Sequence, residues 1–228
     1  MNIIIFGPPG AGKGTQSDYL VKQFSLFKVS TGDLLRNEVE KKTELGNKIK
    51  NIIDHGEFIS DQIINDLIKK FLNDKKIKNR LIFDGYPRNL NQAKDLNLSL
   101  KENNQRISCV LCLEVEKEIV IKRILGRQFC SKCGLTFNIF FNPSTKDNHK
   151  CDSSFLQKRT DDTEKTVKNR FETYKDKTLP ILNFYKEQNL LHQINGMAKI
   201  GEISKEIHAI ITSIETWLYK LYLYNYRF

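Results

Sequence analysis

Unbroken apolar runs alternate with helical stripes along this chain. Asn2 to Phe6 (NIIIF) stops at a glycine, Leu81 to Phe83 stops at Asp84 and Gly85, and Cys109 to Leu113 (CVLCL) is a third run. Phe27 to Val29 and Leu190 to Ile194 are weaker versions. Short continuous runs fit strands buried on both faces of a parallel sheet; a strand with one wet face would alternate. Between them the spacing turns helical. Gly12 to Phe24 follows the first run, and Ser60 stands as a cap before the stripe Ile64, Leu67, Ile68 and Phe71. Glu116 to Leu125 carries Val120, Ile121, Ile124 and Leu125, and another helix is expected to start at Asp162 with Val167, Phe171 and Tyr174 inward. The alternation predicts an α/β doubly wound fold of about five parallel strands flanked by helices. Such sheets bind ligands at the carboxyl ends of their strands.

Two stretches break the alternation. Ser30 to Ile59 reads as helical and polar, with no strand candidate; Gln128 to Lys158 is rich in Cys, Phe, Asn and Ser and reads as short β or loop structure. Both are expected to be insertions on the core.

Composition narrows the classes. The 228 residues are 39% apolar and 28% charged, enough for a real core. No run approaches the roughly 18 apolar residues of a membrane span. The opening MNIIIFGPPG lacks a basic region and a long apolar stretch, so it is not expected to be a signal peptide. Five cysteines make no complete disulfide framework, and the chain reads as cytoplasmic with reduced thiols. The net charge of +10 suits nucleic acid, anionic membrane or phosphorylated small molecules, and does not choose among them.

The first run leads straight into Gly7-Pro-Pro-Gly10-Ala11-Gly12-Lys13-Gly14-Thr15, before a helix. This is G-x-x-x-x-G-K in its strand-loop-helix context. Glycines let backbone N–H groups converge on phosphate oxygens, the helix N-terminus adds its dipole, and Lys13 brings a mobile positive charge. Gly14 stands where a Ser or Thr usually follows the lysine, and Thr15 comes one position later.

Five segments, GPPGAGKGT (7–15), STGDLLR (30–36), FDGYPRNLNQA (83–93), KRILGRQ (122–128) and RTDDTEKTVKNR (159–170), stand in an order and spacing that resemble adenylate kinases of the bacterial long-lid type, from Met1 to about Ile211. The resemblance implies ATP + AMP = 2 ADP with bound Mg²⁺, on a phosphate-loop core formed by 1–29, 60–126 and 160–215. It also implies an AMP-binding insertion at 30–59 and a lid at 127–159. ATP would meet Gly10, Ala11, Gly12, Lys13, Gly14, Thr15, Arg123, Arg127, Thr136, Phe137 and Ala198. AMP would meet Thr31, Arg36, the backbone of Glu57, Phe58 and Ile59, then Gly85, Tyr86, Pro87, Arg88, Gln92, Arg159 and Arg170. Related pyrimidine nucleotide kinases carry Ala at the Thr31 position, which favours AMP. Lys13, Arg88, Arg127, Arg159 and Arg170 would neutralise the transferring phosphoryl group, and Asp84 would hold magnesium through water. Arg123 and Arg127, four apart, would share a face if their helix persists. Asp161 and Asp162 are expected to order the lid hinge.

Cys130-x-x-Cys133-Gly134 is a knuckle turn, and with Cys151 it resembles the zinc-bearing lid of some adenylate kinases. Ser154 breaks the second Cys-x-x-Cys pair. The short segment from Cys151 to Arg159 favours Cys151 and His149 as completing ligands; Asp152 in place of His149 is the alternative. Either donor set suits structural zinc. Cys109-x-x-Cys112 is a decoy: residues three apart on a strand face opposite sides and read as buried hydrophobes. The aromatic, basic tail 216–228 extends past the resemblance and reads as a helix extension, with a membrane-surface or partner contact as the minority reading. Two rival functions are a kinase for another monophosphate, which Thr31, Gln92 and the long lid argue against, and a nucleic-acid binder using the +10 charge, for which no stacking platform or finger spacing exists. A monomer acting on ATP, AMP and ADP is expected, with no specific nucleic acid and no membrane partner.

Overall fold

A computed structural model describes residues 1–54, 59–72 and 75–225. In chain order, strand β1 (Asn2–Phe6) leads to helix α1 (Lys13–Phe24), strand β2 (Phe27–Ser30) and helices α2 (Thr31–Glu40), α3 (Glu44–Asp54) and α4 (Asp61–Leu72). Strand β3 (Leu81–Asp84), helix α5 (Leu90–Glu102), strand β4 (Ile107–Glu114) and helix α6 (Lys117–Leu125) follow. Three short strands come next, β5 (Arg127–Cys130), β6 (Thr136–Asn138) and β7 (Leu156–Gln157). Helix α7 (Glu164–Thr173), a π-helical turn (Tyr174–Thr178), helix α8 (Leu179–Lys186), strand β8 (Leu191–Asn195) and helix α9 (Ile200–Asn225) close the chain.

The main sheet has the order β2-β3-β1-β4-β8, with every pair parallel. Its central strands β1, β3 and β4 are buried on both faces, as their unbroken runs require, while the edge strands β2 and β8, the weaker runs, are partly exposed. Ile4, Phe6, Phe83, Val110 and Cys112 face a core completed by α4, α5 and α8. Ile3, Ile5, Ile82, Cys109, Leu111 and Leu113 face the other core, made with α1 and α9. Cys109 and Cys112 thus fall on opposite faces, and burial pushes their thiols up to about 12 and about 11. After Ser30, which ends β2, the described part of the 30–59 stretch is mostly the helices α2 and α3, and Leu35 and Ile49 join the first core. The second irregular stretch folds as a separate antiparallel sheet, β6-β5-β7.

Two local expectations need correction. The helix expected at Asp162 starts at Glu164, because the Thr163 hydroxyl caps it by accepting from Thr166 N at 3.3 Å, while the Asp162 carboxylate turns to Arg127. Nor do Arg123 and Arg127 share a helix face: α6 stops at Leu125 and Arg127 opens β5. The tail continues α9 without a break as far as Asn225. Trp217 and Tyr219 on it are 57% and 64% exposed. Among the described residues no helix is long and apolar enough to cross a membrane.

Candidate active site

The phosphate loop is built by the turn between β1 and α1. Gly10 has φ +77°, and a Cβ there would come within 2.7 Å of Ile124 Cγ1, so only glycine fits. Gly12 caps α1, leaving the first helical N–H groups facing the loop. Lys13 Nζ donates to the carbonyls of Gly7 at 2.8 Å and Pro8 at 2.9 Å. Burial pushes its pKa down to about 8, with Arg88 and Arg127 adding to the effect against Asp84.

The loop floors one cleft of about 1390 Å³ at the carboxyl ends of the parallel strands. Residues 10–15, Thr31, Arg36, Ile59, residues 84–88, Gln92, Arg123, Arg127, Thr136, Phe137, Arg159, Arg170 and Ala198 all line it. Glu57 and Phe58 lie outside the described residues.

Protein acceptors hold most of the cleft's guanidinium groups. Arg127 forms a two-pronged pair with Asp162, its Nε donating at 2.8 Å. Arg170 donates to Asp161 at 2.6 Å, and Arg36 pairs with Asp33. Arg88 Nε donates to the Gly85 carbonyl at 2.8 Å, and Arg123 donates to the Ala11 carbonyl at 3.3 Å. Cations still outweigh anions. Burial, then the charges of Arg127 and Arg36, push Arg159 down to about 10. Burial and Arg170 lower Arg88 in the same direction. Burial works to raise Asp161, but the Arg170 guanidinium overcomes it and holds that carboxyl low. Asp84 is raised by burial in spite of Lys13 and Lys28. A cleft so charged is complementary to polyanions.

The acceptor side is also in place. Ser30 caps α2 by accepting from Asp33 N at 3.3 Å, and Thr31 donates its hydroxyl to the Gly85 carbonyl at 2.9 Å. Gly85 (φ +76°) is confined here, since a Cβ would come within 3.1 Å of the Thr31 oxygen. Gln92 is buried, with its carbonyl accepting from Arg88 N at 2.7 Å.

The family model for adenylate kinase matches residues 5–190 of this chain. The chain belongs to the adenylate kinase family. It is 45% identical over 211 residues to the adenylate kinase of Pelagibacter ubique, covering 92% of this chain and 99% of the relative. The adenylate kinase of Methanosarcina acetivorans is 43% identical over 213 residues, covering 92% and 98%. That of Archaeoglobus fulgidus is 39% identical over 218 residues, covering 95% and 100%. These matches set aside a kinase for another monophosphate. The activity is ATP:AMP phosphotransfer, and it works on Mg²⁺ with ATP. Asp84 fits that ion: it ends β3 at the cleft floor, with its Oδ2 3.9 Å from where a Gly14 Cβ would stand.

Beside the small antiparallel sheet, four side chains form a cluster that could hold a metal ion. The Sγ atoms of Cys130, Cys133 and Cys151 and a ring nitrogen of His149 lie within 4.8 Å of one another. His149 Nδ1 is engaged with Ser144 Oγ at 3.0 Å, while its Nε2 is buried without a hydrogen-bond partner. A buried imidazole nitrogen facing three thiols, its other nitrogen fixed by a hydroxyl, fits zinc as Cys₃His. Asp152 is not a ligand: its carboxylate caps a short turn by accepting from Ser154 N at 2.8 Å. Burial opposes ionisation of Cys130, yet donors led by Cys133 N, 3.4 Å from its sulfur, prevail and hold the thiol below its ordinary range, toward the thiolate a metal needs. Phe137 is buried with its ring 4.8 Å from His149, and Thr136 beside it is exposed.

Sequence reasoning missed three residues. Lys28, the second residue of β2, bonds Asp18 at 2.9 Å and reaches 3.9 Å from Asp84. Phe141 lines the cleft under Arg123, whose guanidinium carbon is 5.3 Å from the ring centroid. Asp61 accepts from Gln92 Nε2 at 2.6 Å. Lys28 had a signal in its place two residues before Ser30; the other two contacts join distant segments and leave no local trace.

Proposed function

We propose that the cleft holds ATP and AMP end to end and transfers the phosphoryl group directly between them. The loop from Gly10 to Thr15 cradles the ATP phosphates, Lys13 exchanging its two carbonyl acceptors for phosphate oxygens. Arg123, Arg127, Thr136, Phe137 and Ala198 complete the ATP side. On the AMP side Thr31, Ile59 and residues 85–87 border the base, Gln92 reads its edge, and Arg36 and Arg88 take its phosphate. Arg159 and Arg170 stand between the two nucleotides. Asp84 would help hold the Mg²⁺ that comes with ATP, and that ion would supply charge neutralisation on the phosphate oxygens.

No covalent protein intermediate is needed. Transfer requires in-line alignment and neutralised oxygens, which Lys13, Arg88, Arg127, Arg159 and Arg170 supply. Residues 1–29, 60–126 and 160–215 form the fixed core, 30–59 closes over AMP, and 127–159 closes over ATP to exclude water. Zinc staples the lid and takes no part in chemistry. The enzyme acts as a monomer in the cytoplasm on ATP, AMP and ADP, without specific nucleic acid or a membrane. The tail 216–228 carries no role in this scheme.

One observation supports the reading above the others. The guanidinium groups of Arg36, Arg88, Arg123, Arg127 and Arg170 face a single cleft, each on a protein acceptor that phosphate can displace. A coupled assay of ADP formation, run over a panel of nucleoside monophosphates, tests it. Fast turnover confined to AMP is expected; equal turnover of pyrimidine monophosphates would contradict it.

A further inference from the structure

Asp61 opens α4, directly after the 30–59 insertion, and lies outside every nucleotide motif. Its carboxylate nevertheless stands behind the AMP-side glutamine. Asp61 Oδ1 accepts from Gln92 Nε2 at 2.6 Å, and both its oxygens accept from Asn89 Nδ2 at 3.0 Å. Asn89 is itself fixed, since its Oδ1 accepts from Gln92 N at 2.9 Å as the cap of α5. On the other side, Gln92 Oε1 accepts from Arg88 N at 2.7 Å.

We propose that Asp61 is a positioning residue for base selection: it locks the Gln92 side-chain amide in one of its two orientations. This rests on the reading in which Gln92 meets the AMP base. A primary amide can be turned end for end at almost no steric cost, so shape cannot fix it. Here chemistry does. A turned amide would set oxygen against the Asp61 carboxylate and N–H against the Arg88 N–H, two contacts without a proton to share. The locked amide keeps one Oε1 lone pair and one Nε2 hydrogen for a ligand. That acceptor-donor pair matches adenine, which offers an exocyclic N–H and a ring nitrogen. It mismatches hypoxanthine, which offers a carbonyl and a ring N–H at the same places. Without the lock, Gln92 turns and serves either base. A site built around a fixed hydrogen-bond pattern rejects the wrong partner far better than one that adapts.

The test compares AMP with inosine monophosphate in the full-length enzyme. Asp61→Ala removes the acceptor behind Gln92. It is expected to raise KM for AMP and to lower the AMP-over-inosine ratio of kcat/KM by roughly tenfold, the effect of about one hydrogen bond, with kcat on AMP little changed. Asp61→Asn keeps an oxygen facing Gln92 and is expected to restore the ratio, separating the lock from the charge. An Asp61→Ala enzyme that slows equally on both substrates with a lowered Tm would overturn the proposal, leaving Asp61 a structural cap. So would a parental ratio in Asp61→Ala when Gln92→Ala loses it. If Gln92→Ala itself keeps the ratio, the base reading by Gln92 falls and the proposal with it. As a second readout, the Gln92 side-chain amide should give one resolved pair of NMR signals in the parent and an averaged pair in Asp61→Ala.

Discussion

Raising the pH should strip this enzyme of its grip on ATP through one group, Lys13. Without nucleotide, its ammonium is buried against two carbonyls, and its pKa falls from the ordinary 10.5 to about 8. Bound phosphate supplies the missing counter-charge and returns the pKa to its ordinary range or above. At about pH 7 Lys13 is charged in both states; at about pH 9 the free enzyme must take up a proton to bind, which lowers apparent affinity roughly tenfold. Near pH 8.5 binding should take up about 0.7 proton per nucleotide. Titration calorimetry in two buffers of different protonation heat reads both quantities. The same shift fixes the sign for stability. Because the folded pKa is depressed, the cost of burying the charge is fully present below about pH 8. The nucleotide-free protein should therefore gain stability as pH rises from about 8 toward 10.5, by at most about 3 kcal/mol. An affinity flat across this range, or a slope unchanged in Lys13→Met, would refute the reasoning.

Removing a guanidinium that meets the transferring group should hit turnover harder than binding. Arg88→Ala and Arg127→Ala are each expected to lose roughly 10³-fold or more in kcat, measured in the coupled assay, and near-parental rates would count against their roles. Chelation should release about one equivalent of zinc and unfold the lid while the core stays folded, because buried Phe137 contributes only about 2–3 kcal/mol against the roughly 10 or more of a structural zinc. Hydrogen exchange would show it as lost protection confined to 127–159; a metal-free protein with full protection there would contradict it.

The sheet was legible because burial on both faces leaves an unbroken apolar run, as at Ile3 to Ile5 and Cys109 to Leu113. The phosphate loop was legible because glycine is forced at Gly10 and a lysine must follow the last turn. The donor set of three cysteines and His149 was legible with Asp152 left as the alternative, and folding separates the two: Asp152 has a nearby N–H to cap, and His149 has none for its Nε2. What local pattern could not carry was pairing at a distance. Asp162 reads as a helix start until Arg127, in another element, claims its carboxylate. Asp61 reads as an ordinary first-turn acid until Gln92 is folded against it. The strand order has the same character, since β3 comes between β2 and β1 through contacts no window of sequence contains.

The central claim is that one cation-lined cleft seats two adenine nucleotides with their phosphates meeting, and a two-headed ligand of two adenosines joined through an oligophosphate tests it most directly. Calorimetry should give one molecule bound per chain, orders of magnitude tighter than ATP or AMP alone, with the gain abolished in Arg88→Ala. Affinity no better than that of ATP, or two molecules bound per chain, would contradict it.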